Sequence, residues 1–377
     1  MHLSLSVLSF AAHLLITALA QEAPYVRTFF YVGGSYVLDN NSEHVFANQM
    51  YVEKISPIDV NHTQPHPIVL IHGKGQTGTN WLNKPDDTTS WTTRFLQKGY
   101  TLYIVDDTVR GRSPWIPGEG AEVPTTFSAE LVQRRFTAPE LYDLWPQAGL
   151  HTQWPGNGTM GDPVFDAFYA SNVQYIDNDT YQQSTVQAAG AALLDRIGTP
   201  AILLGHSQGC SMPLVIADAR PELTAGLVLL EPIGPPFQEA VFTTVAARKW
   251  GVADIPLTYE PAVDDPETEL VKHVFPPPVE NTDNSTVPCI LQAETPQPRS
   301  LKNLKGLPVL VVTGEASYHA SYDYCTAAYL RQAGVERTEH YELGKIGIKG
   351  NGHFVFLERN SDEVWELVDR WIQKNGS

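Results

Sequence analysis

Five short runs in this chain are almost wholly apolar: residues 67–71 (PIVLI), 100–105 (YTLYIV), 201–204 (AILL), 226–230 (GLVLL) and 307–312 (LPVLVV). A strand with one wet face alternates apolar and polar side chains, so an unbroken run is a strand buried on both faces. Strands of that kind build a mainly parallel sheet. Amphipathic stretches at 91–98, 181–197, 209–220, 322–334 and 361–374 lie between or after the runs, and Ser361 followed by two acids reads as an N-cap. Residues 25–37 and 49–55, around Gly33-Gly34, read instead as a pair of antiparallel strands. Together these patterns predict an α/β fold: a mainly parallel, doubly wound sheet with N-terminal antiparallel strands.

Two stretches break the alternation. Residues 114–178 and 233–300 are rich in Pro, Gly, aromatics and Asp/Asn, with short helical patches at 130–136, 238–250 and 267–274. Loops of this length in a compact domain are usually functional. They read as cap or lid insertions over the C-terminal edge of the sheet, where ligands of such folds bind. On this reading residues 21–377 form a single α/β domain carrying both insertions.

The first twenty residues are set apart. Residues 3–19 form the only long apolar stretch, ending in Ala18-Leu19-Ala20 before the polar Gln21-Glu22, as a cleaved signal peptide does. The stretch is short for a membrane span and lacks a basic stop-transfer flank. Asn40, Asn61, Asn157, Asn178, Asn284 and Asn375 each begin an Asn-X-Ser/Thr sequon. About two would arise by chance at average composition. The expectation is a secreted, N-glycosylated protein with no membrane partner after signal cleavage. With 42 acidic against 25 basic side chains, its surface repels phosphate backbones and anionic lipid, which argues against a nucleic-acid partner. Three cysteines are too few for a disulfide scaffold, and their spacing fits no zinc site. A Cys289–Cys325 bridge would tie the second insertion to the core, and an oxidising compartment permits one.

Gly205-His206-Ser207-Gln208-Gly209 sits between the run AILL and a predicted helix. That context gives G-x-S-x-G its meaning: a serine on a sharp strand-to-helix turn, exposed above the sheet. A serine hydroxyl needs an adjacent base held by an acid before it attacks a carbonyl. His353, in the Gly-rich turn GNGHF before the last helix, is the candidate base. His151, His273, His319 and His340 lack this placement. Two acids end neighbouring predicted strands, Glu231 and Glu315, and bare spacing leaves both open. The turn HGKGQTG (72–78) after PIVLI offers the backbone N–H of Lys74 as one oxyanion donor, and Gln208 supplies the other.

These segments resemble the α/β-hydrolase superfamily, and within it the branch of a secreted bacterial esterase with a Ser-Glu-His triad. The resemblance runs through HGKGQTGTNW (72–81), YTLYIVDDTVRGRS (100–113), GHSQG (205–209), LLEPIGPP (229–236), LPVLVVTGE (307–315) and KGNGHFVFLERNSDEV (349–364). It covers the insertions poorly. Most members of the family place the acid after the later strand, which implies Glu315, whereas this branch implies Glu231. Where the bacterial relative carries two adjacent cysteines after His-Gly, this chain has Lys74 and Gly75. Asp106 and Arg110-Gly111-Arg112-Ser113 match too, and read as a brace beneath the active-site loops.

The expected function is a serine hydrolase that cleaves a small-molecule carboxylic ester through an acyl-enzyme on Ser207. The chemistry requires no metal and no organic cofactor. Its rate is expected to fall as His353 protonates, at about pH 6–7. The rival readings are an acyltransferase or tailoring hydrolase acting on a secondary metabolite, and a non-catalytic hydrolase-fold binding protein. Aromatics of the first insertion (Trp145, Trp154, Phe165, Phe168, Tyr169, Tyr175) could shelter a large apolar substrate, or form the core of the lid.

Overall fold

The computed structural model describes residues 24–58, 63–117, 123–278 and 285–376. The leader and the sequons at Asn61 and Asn284 lie outside the described residues. Eight strands make the main sheet: β1 (Tyr25–Leu38), β2 (His44–Pro57), β3 (Ile68–Ile71), β4 (Leu102–Asp106), β5 (Ala201–His206), β6 (Thr224–Leu230), β7 (Val309–Thr313) and β8 (Thr338–Glu342). Their spatial order is β1-β2-β4-β3-β5-β6-β7-β8. β1 pairs antiparallel with β2, and β2 with β4; every other pair is parallel.

The apolar runs do what their pattern requires. Ile68, Leu70, Ile202, Leu204, Val228, Leu230, Leu310 and Val312 face one core layer. Val69, Ile71, Leu203, Leu227, Leu229, Val309 and Val311 face the other. Each aliphatic side chain fully buried this way contributes about 1.5–3 kcal/mol, so the strand ends stand on a rigid platform. Helices Trp91–Gln97 and Ser361–Asn375 cover the first layer with Trp91, Phe95, Val364 and Trp371. Helices Asp179–Ile197, Ser211–Ala219 and Asp323–Gln332 cover the second. β1 crosses the helix Asp179–Ile197 at Gly33 (φ 64°), where a Cβ would stand 2.8 Å from Ala189 Cα.

Some local expectations are corrected. Residues 238–250 form no helix; Gln238 bridges to Ala246, and the Arg248 guanidinium is enclosed by Pro235 O, Gln238 O and Glu239 Oε1. In 267–274 only the turn Pro266–Glu269 is helical, and Lys272–Phe275 is a strand paired with Cys289–Gln292. The patch 130–136 is the helix Ala129–Val132 running into a π-turn, Gln133–Thr137. Ser361 is the first helical residue, with Asn360 at the N-cap. Cys289 and Cys325 are joined by a disulfide, which fastens the second insertion to the helix Asp323–Gln332. Among the described residues no helix is long and apolar enough to cross a membrane.

Candidate active site

Ser207 follows the last residue of β5 with φ 56°, a left-handed backbone that costs a side-chain-bearing residue of order 1–3 kcal/mol. The flanking glycines let the turn close. A Cβ on Gly205 would stand 2.3 Å from Gly209 O, and one on Gly209 would stand 2.3 Å from His72 O. Ser207 opens on a cavity of about 360 Å³ that His353 also lines. No hydrogen bond joins Ser207 to His353 among the described residues; in apo enzymes such bonds are often long and tighten only with substrate bound.

Glu231 comes directly after β6, also at positive φ (58°), and is wholly buried. Its Oε1 accepts from Gly314 N–H at 2.5 Å, and its Oε2 accepts from Ser317 Oγ and lies 3.2 Å from His353 Nδ1. Burial and the nearby Asp323 push the Glu231 carboxyl up. Three donors directed at it oppose that and favour the anion. With Nδ1 turned to a carboxylate, His353 has Nε2 left for the cavity. Burial, with His206 and His319 close by, pushes the His353 imidazole well below its ordinary range. That direction favours the neutral imidazole.

Glu315 has other partners. Its carboxylate takes Lys349 Nζ and Gly350 N–H, each at 2.8 Å, so it braces the turn that carries His353. On the opposite wall the Lys74 N–H makes no hydrogen bond among the described residues, and Gln208 lies in the first turn after Ser207, where amides lack intrahelical partners. Arg110 ties the two donor segments together, giving 3.2 Å to Gly73 O and 2.8 Å to Gln208 Oε1. Asp106 binds Arg112 and Gly78 N–H, the brace that the sequence suggested. The Lys74 ammonium turns outward to Asp177 at 2.7 Å.

Three histidines that the sequence did not single out as site residues belong to this neighbourhood. His206 holds the His353 carbonyl through Nε2 at 3.0 Å, and burial pulls its own pKa to about 3. His319 stacks on His353 (4.9 Å, 16°), bonds Asp323 through Nδ1 at 3.1 Å and points Nε2 toward Glu231 at 3.8 Å. The donor atoms of Glu231, His319 and His353 lie within 4.8 Å of one another; Glu231 bonds His353, while the buried His319 Nε2 has no hydrogen-bond partner among the described residues. His151, from the first insertion, bridges Glu140 and Glu358. His206 ends β5 inside the serine motif, and what marks it, the bond to the His353 carbonyl, spans 147 residues; His319 and His151 sit in or beside short 3₁₀ turns that carry no motif.

Both insertions wall the cavity: Phe127, Arg135, Phe136 and Phe168 come from the first, Glu239 and Phe242 from the second. Of the six aromatics noted in the sequence, Phe168 alone lines it, while Trp145, Trp154 and Phe165 are buried cap core. Asn40 and Asn157 are exposed, Asn178 caps a helix through its side chain, and Asn375 is bonded to Trp371 O and Arg337.

The model of the alpha/beta hydrolase family matches residues 68–367. A fungal protein described as a probable secreted lipase, phiG (Fungal sp. strain ATCC 74256), is 48% identical over 349 residues, covering 93% of this chain and 90% of its own. A solved structure titled as a novel bacterial esterase superposes with TM-score 0.63 at 20% identity, over 95% of this chain and 99% of that one. The chain belongs to the alpha/beta hydrolase family.

Proposed function

We propose that this protein is a secreted serine hydrolase of carboxylic esters. The observation that carries the reading is one cavity holding a strained Ser207, the free side of a Glu231-bonded His353, and the unpaired amide of Lys74. His353 Nε2 takes the Ser207 proton as Oγ bonds to the ester carbonyl carbon, and the oxyanion forms beside the Lys74 and Gln208 amides. The imidazolium then passes its proton to the departing alkoxide as the C–O bond breaks. Water, deprotonated by His353, attacks the acyl-enzyme and releases the acid, regenerating Ser207. Glu231 orients the imidazole and stabilises its charged form. The naming of the fungal relative as a lipase supports an ester substrate. Secretion is supported by the leader, the sequons and the disulfide.

The test is labelling with a fluorophosphonate probe, followed by turnover of a panel of p-nitrophenyl esters. Probe attachment at Ser207 and ester turnover are expected. An unlabelled, inactive but folded protein would leave the binding-module reading in its place.

A further inference from the structure

Arg135 has no carboxylate. It lines the same cavity as Ser207 and His353, yet makes no ion pair and no hydrogen bond among the described residues. Its Nε is shielded from solvent and unpaired, and the guanidinium rests 3.8 Å above the Phe242 ring. Phe242 touches Tyr318 (5.1 Å), and Tyr318 touches His353 (5.4 Å), so the cation lies two aromatic rings from the base. The π-turn Gln133–Thr137 produces this placement, turning consecutive side chains, Arg135 and Phe136, into the cavity. Asn172, which also lines the cavity, contributes Nδ2 as a second buried donor without a partner among the described residues.

The chain does not lack acids to pair with Arg135, since 42 acidic side chains face 25 basic ones. Other charged groups at the cavity are already satisfied: Lys74 by Asp177 at 2.7 Å, and Glu239 by Arg248 at 2.6 Å. Arg135 is half-buried: its Nε is a buried donor of the kind that is almost always paired, and a guanidinium over an aromatic face presents a planar fork to an incoming anion. Burial lowers the Arg135 pKa, a shift that a bound anion would oppose.

Resting on the esterase reading above, we propose that Arg135, with Asn172, receives an anionic substituent, so that the preferred ester carries a carboxylate on its acyl or its alcohol part. The aromatic wall of Phe127, Phe136, Phe168 and Phe242 takes the apolar remainder.

The test compares p-nitrophenyl valerate with mono-p-nitrophenyl glutarate for the acyl arm, and phenyl butyrate with para-carboxyphenyl butyrate for the alcohol arm. The readout is the acidic-to-neutral ratio of kcat/KM in the parent and in Arg135→Gln. In at least one arm the parent ratio should exceed one and fall about tenfold or more in Arg135→Gln. The responding arm shows which part of the ester bears the carboxylate. Ratios below one in both arms of the parent, or unchanged by the substitution, overturn the proposal. Calorimetry of the same pairs on Ser207→Ala needs neither turnover nor a folded Arg135 variant. Tighter binding of an acidic ester there supports the proposal even if the esterase reading fails, and equal or absent binding in both arms overturns it.

Discussion

Two buried histidines in this molecule each meet a buried glutamate, and their surroundings push their pKa values in opposite directions. His353 has one carboxylate at Nδ1, two imidazoles close by and Nε2 toward the cavity, and its pKa is driven down. His151 has a carboxylate on each nitrogen, Glu140 at 2.7 Å and Glu358 at 3.1 Å, and its pKa is raised to about 9 despite burial. The number of carboxylates decides. One acceptor fixes a tautomer and leaves a base; two acceptors trap an imidazolium that works as a cross-link. Because Glu358 also receives Gly352 N–H and Asn351 Nδ2, that cross-link fastens the first insertion to the turn holding His353.

The comparison can be broken at several points. Removing the proposed nucleophile is the most severe: Ser207→Ala should lower kcat on p-nitrophenyl butyrate by about 10⁶ while its thermal melt stays near the parent's. Next comes the proposed acid. Glu231→Gln should cost about 10⁴ in kcat by spoiling the tautomer, whereas Glu315→Gln, which loosens only the Lys349–Gly350 brace, should cost far less. A larger loss at Glu315 in side-by-side kinetics would exchange their roles.

On the other histidine the expected change is in stability. His151→Ala should remove about 3 kcal/mol at neutral pH by leaving Glu358 buried without its cation, with Glu140, a third exposed, contributing the weaker share. Because the folded pKa of about 9 lies above the unfolded 6.5, this stabilisation is complete below pH 6.5 and disappears as pH rises through 9. Urea unfolding of parent and variant at pH 6 and pH 10 should show a wide gap that closes; a gap that persists at pH 10 contradicts the ion pair. The smallest effect concerns the acid limb. An unperturbed imidazole is about nine-tenths protonated at pH 5.5; with the His353 imidazole pushed down, kcat/KM at pH 5.5 should stay clearly above the roughly one-tenth of its pH 7 value that an ordinary imidazole would leave.

The sheet and the serine turn were legible because their determinants are local: an apolar run, two glycines and a following helix fall within a few residues. Glu231 and Glu315 looked alike because each closely follows a strand, β6 and β7, whose register sets the two segments side by side. What separates them is the positive φ of Glu231 and the donors Gly314 and Ser317, which no spacing reveals. The family resemblance is what favoured Glu231. His319 escaped because it lies in a short 3₁₀ turn with no glycine-rich signature. In the insertions, helical periodicity at 238–250 lost to the polar enclosure of Arg248, and the β-rich segment after Glu269 paired with the disulfide-anchored strand Cys289–Gln292. Long-range partners decide such segments, and a linear reading does not contain them.

Cys210, three residues after Ser207, is buried, and its thiol donates to Gly205 O and Leu230 O. With the other two cysteines bridged, the chain carries a single sulfhydryl, sealed behind Ser207. Alkylating reagents should therefore modify the protein only when β5 and β6 come apart, so one mass increment per molecule reports the opening of this part of the sheet without any engineered dye.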